Sequence, residues 1–269
     1  MSEHTVVDVC SGAGCFSEGF KQAGFKILLG VDIWETATQS YKSNHGNSLL
    51  FDITNPQILD LLPNADVYIG SPPCQDWSEG KAEKRNFDTT IINAFLNIVK
   101  HKKPKYWVWE CAPATNKLDN SPILNALDYD VPQIRKRAFH ANFSLPPPKT
   151  QGCSVNKLFG WTESKVLYNH RSLNENAYSP IYLSNRPART VVTWPIRIYK
   201  EEPFTVEMMK AVQTIPKEYI LCGNKADQYK QIGNAVPPRQ AFHIATHLKS
   251  IINGTIKQPQ KSNFSKMFG

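Results

Sequence analysis

The chain has no stretch approaching the roughly 18 consecutive apolar residues that a membrane-spanning helix needs. Met1-Ser2-Glu3-His4 does not open a secretory signal peptide. A soluble intracellular protein with no membrane partner is the expectation, cytoplasmic and, in a prokaryote or phage, nucleoid-associated. Paired cysteines are also missing. Cys10, Cys15, Cys74, Cys111, Cys153 and Cys222 are scattered, none forms a C-x-x-C pair, and no Cys/His cluster has zinc spacing. That argues against a disulfide framework and against a metal site. Each cysteine is then either a small buried hydrophobe or a reactive thiol. There is no internal repeat.

The 269 residues are 41% hydrophobic, enough for one large core with a smaller lobe attached. Charge is unevenly spread: residues 1–143 carry 14 Lys and Arg against 16 Asp and Glu, and residues 144–269 carry 17 against 7. A basic half suits a polyanion such as nucleic acid, although it also describes an ordinary solvated face.

Apolar runs that suggest strands occur at Thr5–Val9, Ile27–Val31, Asp66–Ile69 and Tyr106–Trp109. Helical patterns fall between them, at Phe16–Ala23, Trp34–Ser43 and Ile91–Lys100, the last with Ile91, Ile92, Phe95 and Val99 on one face. This alternation predicts an α/β fold, a Rossmann-like, mostly parallel sheet with helices on both faces. After Phe143 a proline run, Pro146-Pro147-Pro148, reads as a linker, and residues 151–185 show little periodicity. Regular structure is expected again at Thr190–Thr193, Val206–Gln213 and His243–Ile252, followed by a basic, mobile tail from Asn253.

Polar residues cluster just past the strand ends, the rim where open α/β sheets bind ligands. The first turn, DVCSGAGCF, contains Asp8, Gly12 and Gly14, and glycines there let backbone pass close to a ligand. Asp32 follows the second strand and could accept from a ribose diol; Asp52 follows the third and could accept from an adenine amino group. Each acid alone is a common cap or turn residue, but together they describe a nucleoside site.

The fourth strand runs into GSPPCQDWS. Two prolines stop strand pairing and stiffen the corner that presents Cys74. A nucleophilic cysteine must be held still, accessible and partly ionised. A polar loop from Ser78 to Asn86 follows and could close over a substrate. Glu110 ends the next strand, and Gln133-Ile134-Arg135-Lys136-Arg137 places two arginines at alternate positions. The plain alternatives are a buried thiol, a capping glutamate and a solvated basic strand.

The ordered set DVCSGAGCFSEGF, SPPCQ, QIRKR, RPARTVVTW, TVEMMKAVQTIPKEYI and QIGNAVPP resembles the DNA (cytosine-5)-methyltransferases over most of the chain. The resemblance implies double-stranded DNA as partner, S-adenosylmethionine as cofactor and S-adenosylhomocysteine as product. Cys74 would add to cytosine C6, Glu110 would assist at N3, Arg137 would hold O2 and Arg135 would support the thiolate. The cytosine would have to be flipped out of the duplex. Asp8, Gly12, Gly14, Asp32, Ile33, Asp52, Pro73, Ile91 and Asn234 would form the cofactor pocket. Gln75, Trp77, Ser78, Arg171, Arg186 and Arg189 would meet DNA, with Asn169, His170 and Arg197 as further candidates. The catalytic domain would be discontinuous, 1–143 and 224–252, with a small target recognition domain at 144–223 and a flexible tail at 253–269.

The sequence departs from the family at four places. Cys10 stands for a phenylalanine and Cys15 for a glycine; Asp76-Trp77 follows the nucleophile; Cys111-Ala112 replaces Asn-Val after Glu110. The segment 111–132 is too short for the usual crossover helix, so either the sheet is abbreviated after its fifth strand or the connection is rebuilt. The short recognition region fits a monomer with a short site, or a need for a partner subunit. These departures leave open an RNA cytosine-C5 methyltransferase and a non-catalytic DNA-binding accessory subunit.

Overall fold

The computed structural model describes residues 3–73, 89–149, 151–168 and 181–257. Thr5–Val9, with three valines that favour extended backbone, forms β1 and is buried beyond its first residue. β2 (Lys26–Asp32), β3 (Ser48–Leu50), β4 (Val67–Gly70) and β5 (Tyr106–Cys111) lie parallel to it. Helices α1 (Cys15–Gln22), α2 (Glu35–His45), α3 (Ile58–Leu61) and α4 (Thr90–Lys102) fall between these strands in sequence. The chain continues through β6 (Ile123–Asn125), β7 (Gln133–Ile134) and β8 (Lys136–Ala141). The main sheet has the order β3-β2-β1-β4-β5-β8-β6, and β8 runs antiparallel to both of its neighbours.

Both faces are covered, which is why β5 is buried along its whole length. On one face α1 and α8 (Pro238–Ile252) pack Phe16, Phe20, Ile244 and Leu248 against Val6, Ile69, Val108 and Phe139. On the other, Ile58 of α3 and Ile92, Phe95 and Ile98 of α4 meet Val7, Tyr68 and Trp107. The close approach of α1 to α8 depends on Gly19, where a Cβ would lie 2.4 Å from the Cβ of Ala241.

The short segment after β5 is a rebuilt connection, and the sheet keeps seven strands. Residues 112–122 hold one 3-10 helix, Pro113–Leu118, and reach the far side of β8 without an α-helix.

A second core joins Val155, Leu167, Ile196, Phe204, Met209 and Tyr219 to Ile232. It is built from α5 (Val155–Phe159), β9 (Val166–Tyr168), β10 (Tyr182–Leu183), β12 (Arg197–Ile198), α6 (Val206–Val212) and α7 (Lys225–Asn234). Two expectations need correction here. Thr190–Thr193 pairs in no ladder; the strand is β11 (Ala188–Arg189), parallel to β7. The last helix begins at Pro238 rather than His243, since proline suits a first helical turn where no N–H is needed. Among the described residues no helix is long and apolar enough to cross a membrane. The expected mobile tail lies mostly outside them.

Candidate active site

The carboxyl ends of β1 to β5 border one cleft of about 740 Å³. Into it come Gly12 after β1, Asp32 at the end of β2 and Ile33 after it, Asp52 after β3, Pro72 and Pro73 after β4, and Glu110 near the end of β5. Ile91 of α4, Asn234 of α7, Arg135 and Arg137 complete the set from other elements.

At one end Asp32 organises the rim. Its two oxygens accept the Gly12 N–H at 2.7 Å and the Trp34 N–H at 2.9 Å, which ties the glycine turn to the start of α2. Burial pushes the Asp32 carboxyl up, and these N–H donors work against that rise. Ile33 stands 69% exposed on the cleft wall, a flat apolar surface beside the acid. Asp52 is exposed and accepts the Thr54 N–H and hydroxyl through one oxygen, at 2.9 and 2.8 Å.

At the other end Arg137 Nε lies 3.0 Å from Glu110 Oε1, and both residues line the cleft. Arg135 lies at the break between β7 and β8 and is buried. Its guanidinium donates to the carbonyls of Val191 and Gly233 at 3.1 and 3.2 Å, joining the RPARTVVTW segment to QIGNAVPP. A Cβ on Gly233 would lie 2.4 Å from the Val192 carbonyl carbon, so glycine is required for these two segments to touch.

Two residues of the expected pocket sit behind it. Asp8 does not line the cleft; it is fully buried and accepts the Ser17 hydroxyl at 2.7 Å. Gly14 is also absent from the lining and takes φ +90° as the cap of α1, where a Cβ would meet the rings of His45 and Tyr41. Arg186 and Arg189 are exposed outside the cleft, and Arg189 lies over the Tyr182 ring. Arg197 is half-buried and likewise outside the lining. Cys74, Gln75, Trp77, Ser78, Asn169, His170 and Arg171 lie outside the described residues.

The cleft contains residues not anticipated from the sequence, notably Trp34, Phe51 and Lys230. Lys230 Nζ sits 4.3 Å over the Trp34 ring. A signal for it existed, since Lys230 and Asn234 are four apart and so share a face of α7. Among the described residues no group of three or more His, Cys, Asp or Glu could hold a metal ion.

The model of C-5 cytosine-specific DNA methylases matches residues 4–122 and 154–250. The gap between the two matched blocks contains β6 to β8, the part that follows the rebuilt connection. The Type II methyltransferase M.HgiDI of Herpetosiphon aurantiacus is 28% identical over 96% of this chain and 97% of its own. M.HindV of Haemophilus influenzae, also a Type II methyltransferase, is 29% identical over 95% and 98%. The fold is similar to a crystal structure described as a DNA modification methyltransferase encoded within an E. coli prophage, with TM-score 0.70 and 18% identity over 93% of this chain and 100% of that one. With the family model covering most of the chain and the ordered strand ends converging on one cleft, the chain belongs to the C-5 cytosine-specific DNA methylase family and is a DNA cytosine-C5 methyltransferase.

Proposed function

We propose that the cleft binds S-adenosylmethionine at its Asp32 end and a flipped cytosine at its Glu110 end. The observation that carries this reading is the Glu110–Arg137 pair in the same cleft as the Asp32, Ile33 and Asp52 rim. The residues at the rim fit an adenosine: Asp32 accepts from ribose hydroxyls, Ile33 packs on the base and Asp52 accepts the amino group. Bound S-adenosylmethionine supplies an electrophilic methyl group.

The chain's own groups prepare the cytosine. Cys74 follows Pro73, a cleft-lining residue, and adds as thiolate to C6. Glu110 assists as the acid at N3 and Arg137 donates to O2, so the negative charge that addition pushes onto the ring is met by fixed groups. Addition makes C5 nucleophilic toward the methyl that bound S-adenosylmethionine would supply, with S-adenosylhomocysteine as the leaving group. A base would then take the C5 proton as the C6–S bond breaks and Cys74 leaves as thiolate. The Arg137 contact with Glu110 keeps the acid beside its own partner until the base arrives. Arg135 acts by holding Val191 and Gly233 together, a role that supports the thiolate through the shape of the pocket.

The second core, with exposed Arg186 and Arg189, is the unit that meets DNA in this reading. Trp77 and its neighbours fill the gap left by the flipped base. The experiment is Cys74→Ser, tested with duplex DNA containing 5-fluorocytosine. The wild type should trap a covalent complex and the variant should neither trap it nor transfer methyl groups. Undiminished turnover by the variant would remove Cys74 as nucleophile.

A further inference from the structure

Glu110 lies next to the end of its ladder. β5 pairs with β8 through Glu110↔Phe139 and Cys111↔Ala138, and pairing then stops. A ladder end frays unless something beyond it is tied down. The tie here is a chain of side chains that joins the rebuilt connection to β8. His140, on β8, stacks on the Trp109 ring with centroids 3.7 Å apart and planes within 3°. Its Nδ1 lies 2.9 Å from both carboxylate oxygens of Asp119. Its Nε2 lies 3.1 Å from Thr115 Oγ1. The Thr115 hydroxyl and N–H both reach the Ala112 carbonyl, at 2.7 and 3.0 Å.

The connectivity of carboxylate, imidazole and hydroxyl resembles a hydrolytic triad. Thr115 and His140 are fully buried, however, so no substrate can meet the hydroxyl. The arrangement instead clamps Ala112, two residues past the acid, to the strand that also carries Arg137. We propose that Asp119, His140 and Thr115 form a positioning relay that keeps Glu110 in register with Arg137. This rests on the role of Glu110 proposed above. Beside this clamp the Cys111 thiol lies 3.8 Å from the Pro72 carbonyl.

The test compares Thr115→Val, which keeps shape and removes the hydroxyl, with Thr115→Ser, which restores it. Asp119→Asn and Glu110→Gln complete the set. Single-turnover transfer of labelled methyl groups into unmethylated genomic DNA is measured at saturating S-adenosylmethionine, beside dissociation constants for cofactor and DNA. Thr115→Val and Asp119→Asn should slow transfer by on the order of tenfold to a hundredfold, the cost of a small misplacement. Thr115→Ser should stay within about twofold of wild type, and so should all dissociation constants. Wild-type rates in Thr115→Val, or in Asp119→Asn if Thr115→Val does not fold, would overturn the relay. So would an equal loss in Thr115→Ser, or a rate loss that tracks weaker cofactor binding. Wild-type turnover in Glu110→Gln would instead overturn the assignment of the acid itself.

Discussion

At the scale of single residues, Asp8 shows how a motif position serves a site it does not touch. It lies fully buried under the glycine turn, and its Oδ1 has no hydrogen-bond partner among the described residues. Burial pushes its carboxyl up to about 7; the Ser17 hydroxyl pulls the other way, and the neighbouring Asp32 charge adds to the rise. An unfolded aspartate titrates near about 4. Between these values the folded state holds a proton that the unfolded state releases. Stability therefore falls as pH rises from about 4 to about 7 and levels off above, by at most about 4 kcal/mol. Asp8→Asn keeps an acceptor for Ser17 and cannot ionise. Its advantage in melting temperature over wild type should grow across that window and stay constant beyond it. A difference that does not change with pH would mean that Asp8 is ionised throughout.

At the scale of elements, the glycine turn is clamped from two sides. The Tyr219 hydroxyl donates to the Ala13 carbonyl at 2.6 Å, and His45 Nε2 lies 3.1 Å from the Gly14 carbonyl and 2.9 Å from the Tyr219 hydroxyl. Burial lowers the His45 pKa to about 4, with Lys21 adding to the fall, so at neutral pH the imidazole is uncharged. Tyr219→Phe removes the hydroxyl's buried contacts with both Ala13 and His45; a loss of about 1 kcal/mol at the turn should weaken S-adenosylmethionine binding about fivefold in a calorimetric titration. Unchanged affinity would show that the turn keeps its shape without the second core. Strand β1 was legible in its bounds because Thr5 and three valines in five residues favour extended backbone. Thr190–Thr193 misled for a physical reason. Its β-branched residues look like a strand, but its backbone is held by side chains: the Val191 N–H donates to Gln133 Oε1 at 2.9 Å, and Arg135 takes the Val191 carbonyl. Side chains distant in sequence leave no local pattern to read.

At the scale of the whole molecule, the order of the motifs carried most of the fold, because strand ends that bear polar residues must converge on one rim. Asp32, Asp52 and Glu110 were legible as strand-end residues, and they line the cleft together with Arg137. The His140 relay was not, since its three members are joined only by folding a 3-10 helix onto β8. The basic surplus beyond residue 143 belongs to this scale too. If Arg186 and Arg189 contact phosphates, replacing both with alanine should lower the slope of log affinity against log salt by about 2. An unchanged slope would place DNA elsewhere on the surface.

The most direct measurement is bisulfite sequencing of DNA from a host expressing the chain, beside the same host expressing Cys74→Ser. Cytosines within one fixed sequence should resist conversion in the first and convert fully in the second. Complete conversion in both, or equal protection in both, would contradict C5 methylation through Cys74.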